Sequence, residues 1–246
     1  MKTHLTLLVA AFSFLFACTS CADADDAYVG FRTDALADST WNTSVWISAA
    51  DAPVVTELVP SECWHSAEGA SWFASVIGNR KKVVSAKWMT TGLGVYDVYV
   101  NGRLVGEELL KPGFTHHQKT RYSFTYDVTD AVNLSSGAEN VFAAQVTPGW
   151  WADKIITPAK TRGMIGKKCA FRGVIELTYS DGSKECFGTS PDTWKAGIAG
   201  PVTHASIFDG EYYDARIAPG YETLDKLGKA EINNEFKGGI FPSDGA

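Results

Sequence analysis

Short runs that alternate apolar and polar residues, separated by turn residues, recur along most of the chain. One run begins at Val83, places Val84, Ala86 and Trp88 on a single face, and breaks at Thr90–Gly94. Long stretches with the 3.6-residue period of a helix are nearly absent. This pattern predicts an all-β fold, a jelly-roll-like antiparallel β-sandwich.

Turn residues predict two hairpins. Asn101-Gly102 suits the two central positions of a type I′ turn, which need positive φ, so Val95–Val100 and Arg103–Val105 should pair. Asp181-Gly182 joins the predicted strands Ala170–Tyr179 and Lys184–Phe187. A register centred on this turn places Cys186 opposite residues 175–177 and away from Cys169, which argues against a disulfide between the two. Further strands are predicted at Arg121–Val128, Asn140–Val146 and near Trp194, Ile207 and Tyr213.

Two irregular segments interrupt the strands, Lys111–His117 and Thr147–Lys168, and both contain proline and glycine. Long loops in a compact domain are often binding loops. The sandwich is predicted to cover residues 28–222. Residues 223–246 contain Gly238-Gly239 and an uncapped end, so they are expected to be the start of a following domain or a linker.

The composition is that of a globular chain that buries a core. Of its 246 residues, 45% are hydrophobic and 20% are charged, which suits one large β domain or two small ones. The net charge of −6 and the absence of a basic stripe argue against binding to nucleic acid. The eight tryptophans fit sugar-stacking surfaces, although core packing is the commoner use.

The first residues have the pattern of an export signal. Lys2 is followed by the apolar run Leu5–Ala17, which is too short to span a bilayer, and then by Cys18. Residues 1–17 are therefore predicted to be a lipoprotein signal peptide, with Cys18 acylated and residues 18–27 forming an acidic tether. The alternative is a plain secretory signal cut near Ala22. Either signal predicts transport across the inner membrane, and lipidation predicts anchoring at the outer-membrane surface or in the periplasm.

Five short motifs follow one another along the chain: Gly92–Gly102, Lys111–Thr115, Tyr126–Asp130, Gly149–Trp151 and Asp209–Arg216. Together, in this order, they resemble the N-terminal, non-catalytic domain of bacterial α-L-rhamnosidases. The resemblance implies a galactose-binding-like β-sandwich that precedes a catalytic (α/α) barrel. It also implies that some such sandwiches bind L-rhamnose, in certain cases through a calcium ion. No barrel follows in this sequence, so no catalytic residue is expected and the chain alone is expected to be inactive.

Trp150, Trp151 and Asp153 are the candidate ligand-binding residues. A sugar ring packs its C–H groups on an aromatic face, and Gly149 would let the backbone approach closely. We expect one of the two tryptophans to be buried and the other to be at least partly exposed; the alternative is that one only closes the edge of the sandwich. Asp153 could accept hydrogen bonds from sugar hydroxyls or contribute to a calcium site, although calcium needs about 6–8 oxygen ligands.

Asp209, Glu211, Asp214 and Arg216 are expected to form a structural charge network at one end of the sandwich. An inverting glycosidase needs two carboxyl groups roughly 6.5–9.5 Å apart. Residues three apart on a strand point to opposite faces, so Glu211 and Asp214 do not suit that role. His116 and His117 are expected to be a solvated pair, and no metal site is predicted.

Three functions fit these observations. The leading one is an accessory module of an α-L-rhamnosidase that packs against the catalytic barrel and holds a rhamnose-containing glycan. The second is a stand-alone surface lipoprotein that binds glycans, with the membrane as its second partner. The third is a structural sandwich without a ligand. The first function predicts an exposed apolar patch on the sandwich, at the surface where a barrel would pack.

Overall fold

The computed structural model describes residues 28–52, 69–153 and 163–243. Within them the chain forms β-strands with one short α-helix, α1 (Gly149–Ala152), and 3-10 turns at Asp38–Thr43, Thr129–Ala131 and Gly220–Glu222. The strands, numbered in chain order from β1 to β15, are Phe31–Arg32, Ile47–Ala49, Ser71–Gly78, Val83–Leu93, Val95–Val100, Arg103–Leu104, Thr120–Asp127, Glu139–Thr147, Ala170–Tyr179, Lys184–Gly188, Lys195–Ile198, Val202–Ser206, Gly210–Tyr213, Gly228–Ile232 and Gly239–Pro242.

Most of these strands belong to one curled sheet, in the order β1-β7-β4-β9-β2-β14-β11-β3-β8-β5-β6. The sheet folds back on itself. This brings Trp88 of β4 edge-on against Phe142 of β8, with 5.2 Å between ring centroids. Phe73 of β3 likewise lies 6.0 Å from Phe171 of β9. The core therefore lies between the two halves, and the prediction of an all-β, jelly-roll-like sandwich is confirmed.

The hairpin at Asn101-Gly102 is confirmed. Asn101 and Gly102 have φ values of 49° and 81°, as a type I′ turn requires. Val100 pairs with Arg103 across the turn.

The other predicted hairpin has a loop one residue longer than expected. The Tyr179 N–H donates to the Ser183 carbonyl, and Gly182 has a φ of 82°, so the loop has three residues rather than two. Cys186 pairs opposite Glu176 and is exposed, whereas Cys169 is buried. The two cysteines are not joined to each other, as predicted.

β4 differs from its prediction at both ends. A register shift between Val83 and Ser85 buries Val83 and turns Val84 to solvent, so Val84 does not share the face of Ala86 and Trp88. The strand also continues to Leu93 instead of breaking at Thr90. Buried threonines are tolerated there because their hydroxyls find partners; the Thr91 hydroxyl donates to the Tyr122 carbonyl at 2.8 Å.

Residues 223–243 complete the sandwich instead of starting another domain. β14 lies between β2 and β11, with Ala230 opposite Ala49 and Lys229 opposite Lys195. β15 pairs with β7 in parallel. The glycines in this segment weakened the sequence pattern of two short strands. Hydrogen bonds to neighbouring strands hold both in the sheet: β14 to β2 and β11, and β15 to β7.

Candidate functional site

The candidate site lies where β8 ends and the chain turns into α1. Gly149 begins that turn with a φ of 49°, and an added Cβ would lie 2.7 Å from the backbone nitrogen of Val95. A residue with a side chain would be strained there and would collide with the start of β5. Glycine at position 149 therefore permits the close approach of this turn to β5. The close approach to a sugar that the sequence predicts is a different contact and stays a prediction.

Trp151 is a core residue. It is 2% exposed, its indole N–H donates to the Lys168 carbonyl at 3.0 Å, and its ring packs edge-on against Phe236. Gly166 lies directly beneath the indole, where a Cβ would collide with it. Trp151 thus closes the end of the sandwich and cannot offer a face to a sugar.

Trp150 is half-buried and packs edge-on against Phe114, with 5.8 Å between ring centroids. Phe114 is 72% exposed. The expectation of one buried and one partly exposed tryptophan is confirmed, and we name Phe114 and Trp150 the aromatic pair. Sequence reasoning noted Phe114 only as part of a motif; an aromatic residue after Pro112-Gly113 on a predicted surface loop was the available signal.

A buried polar group supports the aromatic pair from below. The ring of His117 lies 4.7 Å from that of Phe114, and Arg121 Nη1–H donates to His117 Nδ1 at 2.9 Å. Arg121 is 2% exposed and its guanidinium lies over the Trp151 ring at 4.8 Å. The expectation that both histidines are solvated is wrong for His117, which is 6% exposed beneath the Phe114 ring, whereas His116 is exposed.

Burial lowers the pKa of both Arg121 and His117. It lowers the pKa of Arg121 to about 10, which leaves the guanidinium charged at neutral pH. Burial, followed by the charges of Arg121 and His116, lowers the pKa of His117 to about 4. His117 is therefore neutral at pH 7 and accepts the hydrogen bond from Arg121 through Nδ1.

Asp153 lies at the end of α1 and is buried. Its backbone N–H donates to the Gly149 carbonyl at 3.2 Å, so it helps to close the turn. Within residues 28–52, 69–153 and 163–243, no three Asp, Glu, His or Cys side chains converge as metal ligands. The Asp153 carboxylate by itself supplies at most two of the roughly 6–8 oxygens that calcium takes, and calcium binding stays a prediction.

A cleft of about 390 Å³ opens beside Gly149. Its floor is the outer face of β5 and β8, and its roof is the β12–β13 hairpin. The residues that line it are Val95, Asp97, Leu110, Gln145, Thr147, Gly149, Ala205, Ser206, Ile207, Gly210 and Glu211. Sequence reasoning did not single out this cleft, because the strands of its floor and the hairpin of its roof come from distant parts of the chain.

Asp97 is the charged group of the cleft floor. It lies opposite Gln145 in the β5–β8 pair, and 47% of its side chain is exposed. Lys111 Nζ lies 3.8 Å from Asp97 Oδ1 and also donates to the Val105 carbonyl at 3.2 Å. Burial raises the pKa of the Asp97 carboxyl, and the Lys111 ammonium opposes that shift.

A family model for the α-L-rhamnosidase N-terminal domain matches residues 81–235. The chain belongs to this family. The α-L-rhamnosidase of Streptomyces avermitilis is 38% identical over an alignment of 166 residues that covers 63% of this chain and 15% of the relative. The chain spans 15–21% of the length of the curated relatives that it matches.

Solved α-L-rhamnosidases contain the same fold. The native enzyme from Aspergillus terreus matches with a TM-score of 0.69 and 25% identity over 81% of this chain and 22% of that chain. The Streptomyces avermitilis enzyme, solved with L-rhamnose, matches with a TM-score of 0.63 and 32% identity over 72% of this chain and 17% of that chain. The resemblance carried by the five sequence motifs is therefore confirmed.

In this α-L-rhamnosidase N-terminal domain, the acidic motif at Asp209–Arg216 is only partly a network. Arg216 donates to both carboxylate oxygens of Asp214, at 2.8 and 2.6 Å, and lowers the pKa of that carboxyl. Glu211 instead lines the cleft, and Asp209 lies in the β12–β13 turn, where its N–H donates to the Ser206 hydroxyl.

Two sequence predictions concern the membrane. Cys18 and the rest of the predicted signal segment lie outside the described residues. In the part of the chain that the structure describes, none of the helices has the length and hydropathy needed to cross a bilayer.

Proposed function

We propose that this chain is the accessory module of an α-L-rhamnosidase and that it holds a rhamnose-containing glycan on the aromatic pair. The observation that carries the proposal is the exposed face of Phe114 beside Trp150; Phe114 lies on a loop and Trp150 in α1, and both belong to the family motifs. A large aromatic side chain that stays exposed beside a cleft is typical of ligand-binding surfaces.

The base beneath the pair favours this role. Trp151, Arg121 and His117 are buried and bonded to one another or to the backbone, so the rings above them are held in place before a ligand arrives. Rings that are already ordered lose little conformational entropy on binding. The pyranose C–H groups would pack on the exposed ring faces.

Cleavage of the glycosidic bond is assigned to the remainder of such an enzyme and not to this chain. Asp214, one of the acidic residues of the closing motif, is held by Arg216 in a two-point ion pair. A carboxylate held in this way has its pKa lowered, which is the wrong direction for a general acid.

Isothermal titration with L-rhamnose and with a rhamnose-bearing oligosaccharide tests the proposal. Trp150→Ala and Phe114→Ala should each weaken binding by about 3- to 10-fold, the magnitude expected for loss of one aromatic contact. Phe31→Ala, at an exposed aromatic residue of β1, is the control and should bind like the wild type. Equal affinity in all four proteins would overturn the aromatic pair as the binding surface.

The proposed partner within the enzyme is the catalytic barrel. The β12–β13 hairpin and the turn after it expose five large apolar or aromatic side chains that a packed domain would cover: Ile207, Phe208, Tyr212, Tyr213 and Ile217. Tyr212→Ser with Tyr213→Ser should weaken association with a catalytic barrel expressed without its own module, measured by titration calorimetry. Unchanged association would place the contact elsewhere.

We also propose that the chain is exported and anchored through Cys18, from its position after an apolar run. Labelling of cells with a palmitate analogue should mark the wild type and not Cys18→Ser. A labelled Cys18→Ser variant would reject lipidation at this residue.

A further inference from the structure

We propose that the cleft beside Gly149 receives an arginine side chain of the catalytic part of the enzyme, as a charged anchor within the interface formed by the β12–β13 hairpin. This inference rests on the proposed function, because it names the chemistry with which the catalytic barrel would contact the surface proposed for it. The cleft and that surface are continuous, since Ile207 lines the cleft and is also one of the exposed apolar residues of the hairpin.

The cleft carries a carboxylate on each of its two walls. Asp97 belongs to the floor and Glu211 to the roof. Like charges that face the same small space repel each other, and a cation between them relieves the repulsion. The cleft, at about 390 Å³, is near the lower limit for small-molecule sites, so it has room for one side chain that carries such a cation.

Lys111 leaves the charge of the cleft incompletely balanced. Its ammonium is almost completely buried, lies 3.8 Å from Asp97 Oδ1 and donates to the Val105 carbonyl at 3.2 Å. The Asp97 side chain is nevertheless 47% exposed, and Glu211 is exposed as well. Two carboxylates against one ammonium leave one negative charge, so the cleft is complementary to a single further cation.

The other polar groups of the cleft favour arginine over lysine. Gln145, Thr147 and Ser206 line it together with the two carboxylates, and each offers an oxygen that can accept a hydrogen bond. A guanidinium has N–H donors spread over a planar fork, whereas the donors of an ammonium share a single atom. Acceptors distributed over two walls are therefore matched better by a guanidinium, which can reach both walls at once.

Aliphatic groups lie among these polar ones. Val95 is on the floor, Ile207 is on the roof, and Leu110 comes from the loop that follows β6. The stem of an arginine packs on such groups while its charged head reaches polar partners. The mixed lining thus fits a side chain that is apolar along its length and charged at its end. Arginine is also enriched at protein interfaces and among the residues that dominate their affinity.

Titration of the chain with N-acetyl-arginine amide, followed through the backbone amide resonances of β5, β8 and β13, tests the cleft directly. N-acetyl-citrulline amide has nearly the same shape without the charge and is the matched ligand. The arginine compound should bind at least about tenfold more tightly, because hydrogen bonds between ionised groups are the stronger ones. Equal binding of the two compounds would overturn the inference.

Glu211→Gln removes the charge of the roof and keeps the size of the side chain. Because Glu211 is exposed, the fold should tolerate the change, and the affinity for the arginine compound should fall about 3- to 10-fold. Asp97→Asn should act in the same direction; it also removes the ion-pair partner of Lys111, so an unfolding curve accompanies it. Glu139→Gln, an exposed position at the opposite end of β8 from Thr147, is the control and should bind like the wild type. Wild-type affinity in both cleft variants would reject the cleft as the site.

Association with a separately expressed catalytic barrel distinguishes this inference from the proposed function. Glu211→Gln should weaken that association, as Tyr212→Ser with Tyr213→Ser does. If the tyrosine variant weakens it while Glu211→Gln and Asp97→Asn do not, the inference fails and the proposed interface stands. If the wild type does not associate with the barrel, the proposed interface fails and this inference fails with it.

Discussion

Gly149 shows how a single residue sets the site. Its φ of 49° and its approach to Val95 are two separate penalties for any side chain. Gly182 has a φ of 82° but nothing within 4 Å of an added Cβ, so it carries only the first penalty. Gly182→Ala should lower the free energy of unfolding by about 1 kcal/mol, and Gly149→Ala by roughly 2–4 kcal/mol. Urea unfolding compares the two, and equal losses would show that β5 yields to the added methyl group.

His117 adds a pH dependence at the same scale. Its pKa is about 4 in the folded chain against an ordinary value of 6.5, so the unfolded chain takes up the proton first as pH falls. His117 thus favours the folded state fully above pH 6.5, and this contribution is lost between pH 6.5 and pH 4, by up to about 3 kcal/mol. His117→Asn keeps an acceptor for Arg121 without titrating. Urea unfolding at pH 7 and pH 4.5 should show a smaller decrease for the variant; identical decreases would mean that other groups dominate.

The sequence predicted that one of Trp150 and Trp151 is buried and the other partly exposed, but it did not predict that Phe114 joins the site. Adjacent residues in a short turn point in different directions, so one buried and one exposed tryptophan could be expected. The loop that carries Phe114 is different, because Lys111 at its start sends its side chain into the core, where it donates to the Val105 carbonyl. A buried lysine cannot be inferred from local pattern, because lysine is rarely buried.

At the scale of elements, the local sequence pattern placed β14 outside the sandwich, whereas strand pairing places it inside. The strand has a single fully buried position, Ala230, and it is held by pairing with β2 and β11 on its two edges. Ala230→Asp would bury an unpaired carboxylate and should cost at least about 3 kcal/mol. Lys229→Asp places the same side chain one position away on the exposed face and should cost less than about 1 kcal/mol.

The midpoint of urea unfolding distinguishes these two variants. Similar midpoints would mean that β14 is not needed for the sandwich, as the sequence boundary at residue 222 implied. The Asn101-Gly102 hairpin could be predicted because a two-residue turn fixes its own register. β14 could not, because its partners lie about 35 and 180 residues away, and only the complete sheet supplies them.

At the scale of the whole molecule, the site and the fold share one core. Trp151 and Phe236, which lie below the aromatic pair, belong to the same buried cluster as Trp88 and Phe171 at the centre of the sandwich. A ligand that binds there should therefore stabilise the global fold and not a local segment. L-Rhamnose at 100 times its dissociation constant should add about 2.7 kcal/mol, which corresponds to a rise of roughly 5–10 °C in the thermal midpoint.

Scanning calorimetry with L-rhamnose, and with D-glucose as a control sugar of similar size, measures this coupling. The rise should be specific to L-rhamnose and should shrink in Trp150→Ala, because ligand binding stabilises only in proportion to affinity. An equal rise with both sugars would indicate a general cosolvent effect, since sugars that are excluded from the protein surface stabilise the folded state without binding to it. A rise confined to a separate early transition would show that the loops around α1 unfold independently of the sandwich, and the shared core would then not couple the site to the fold.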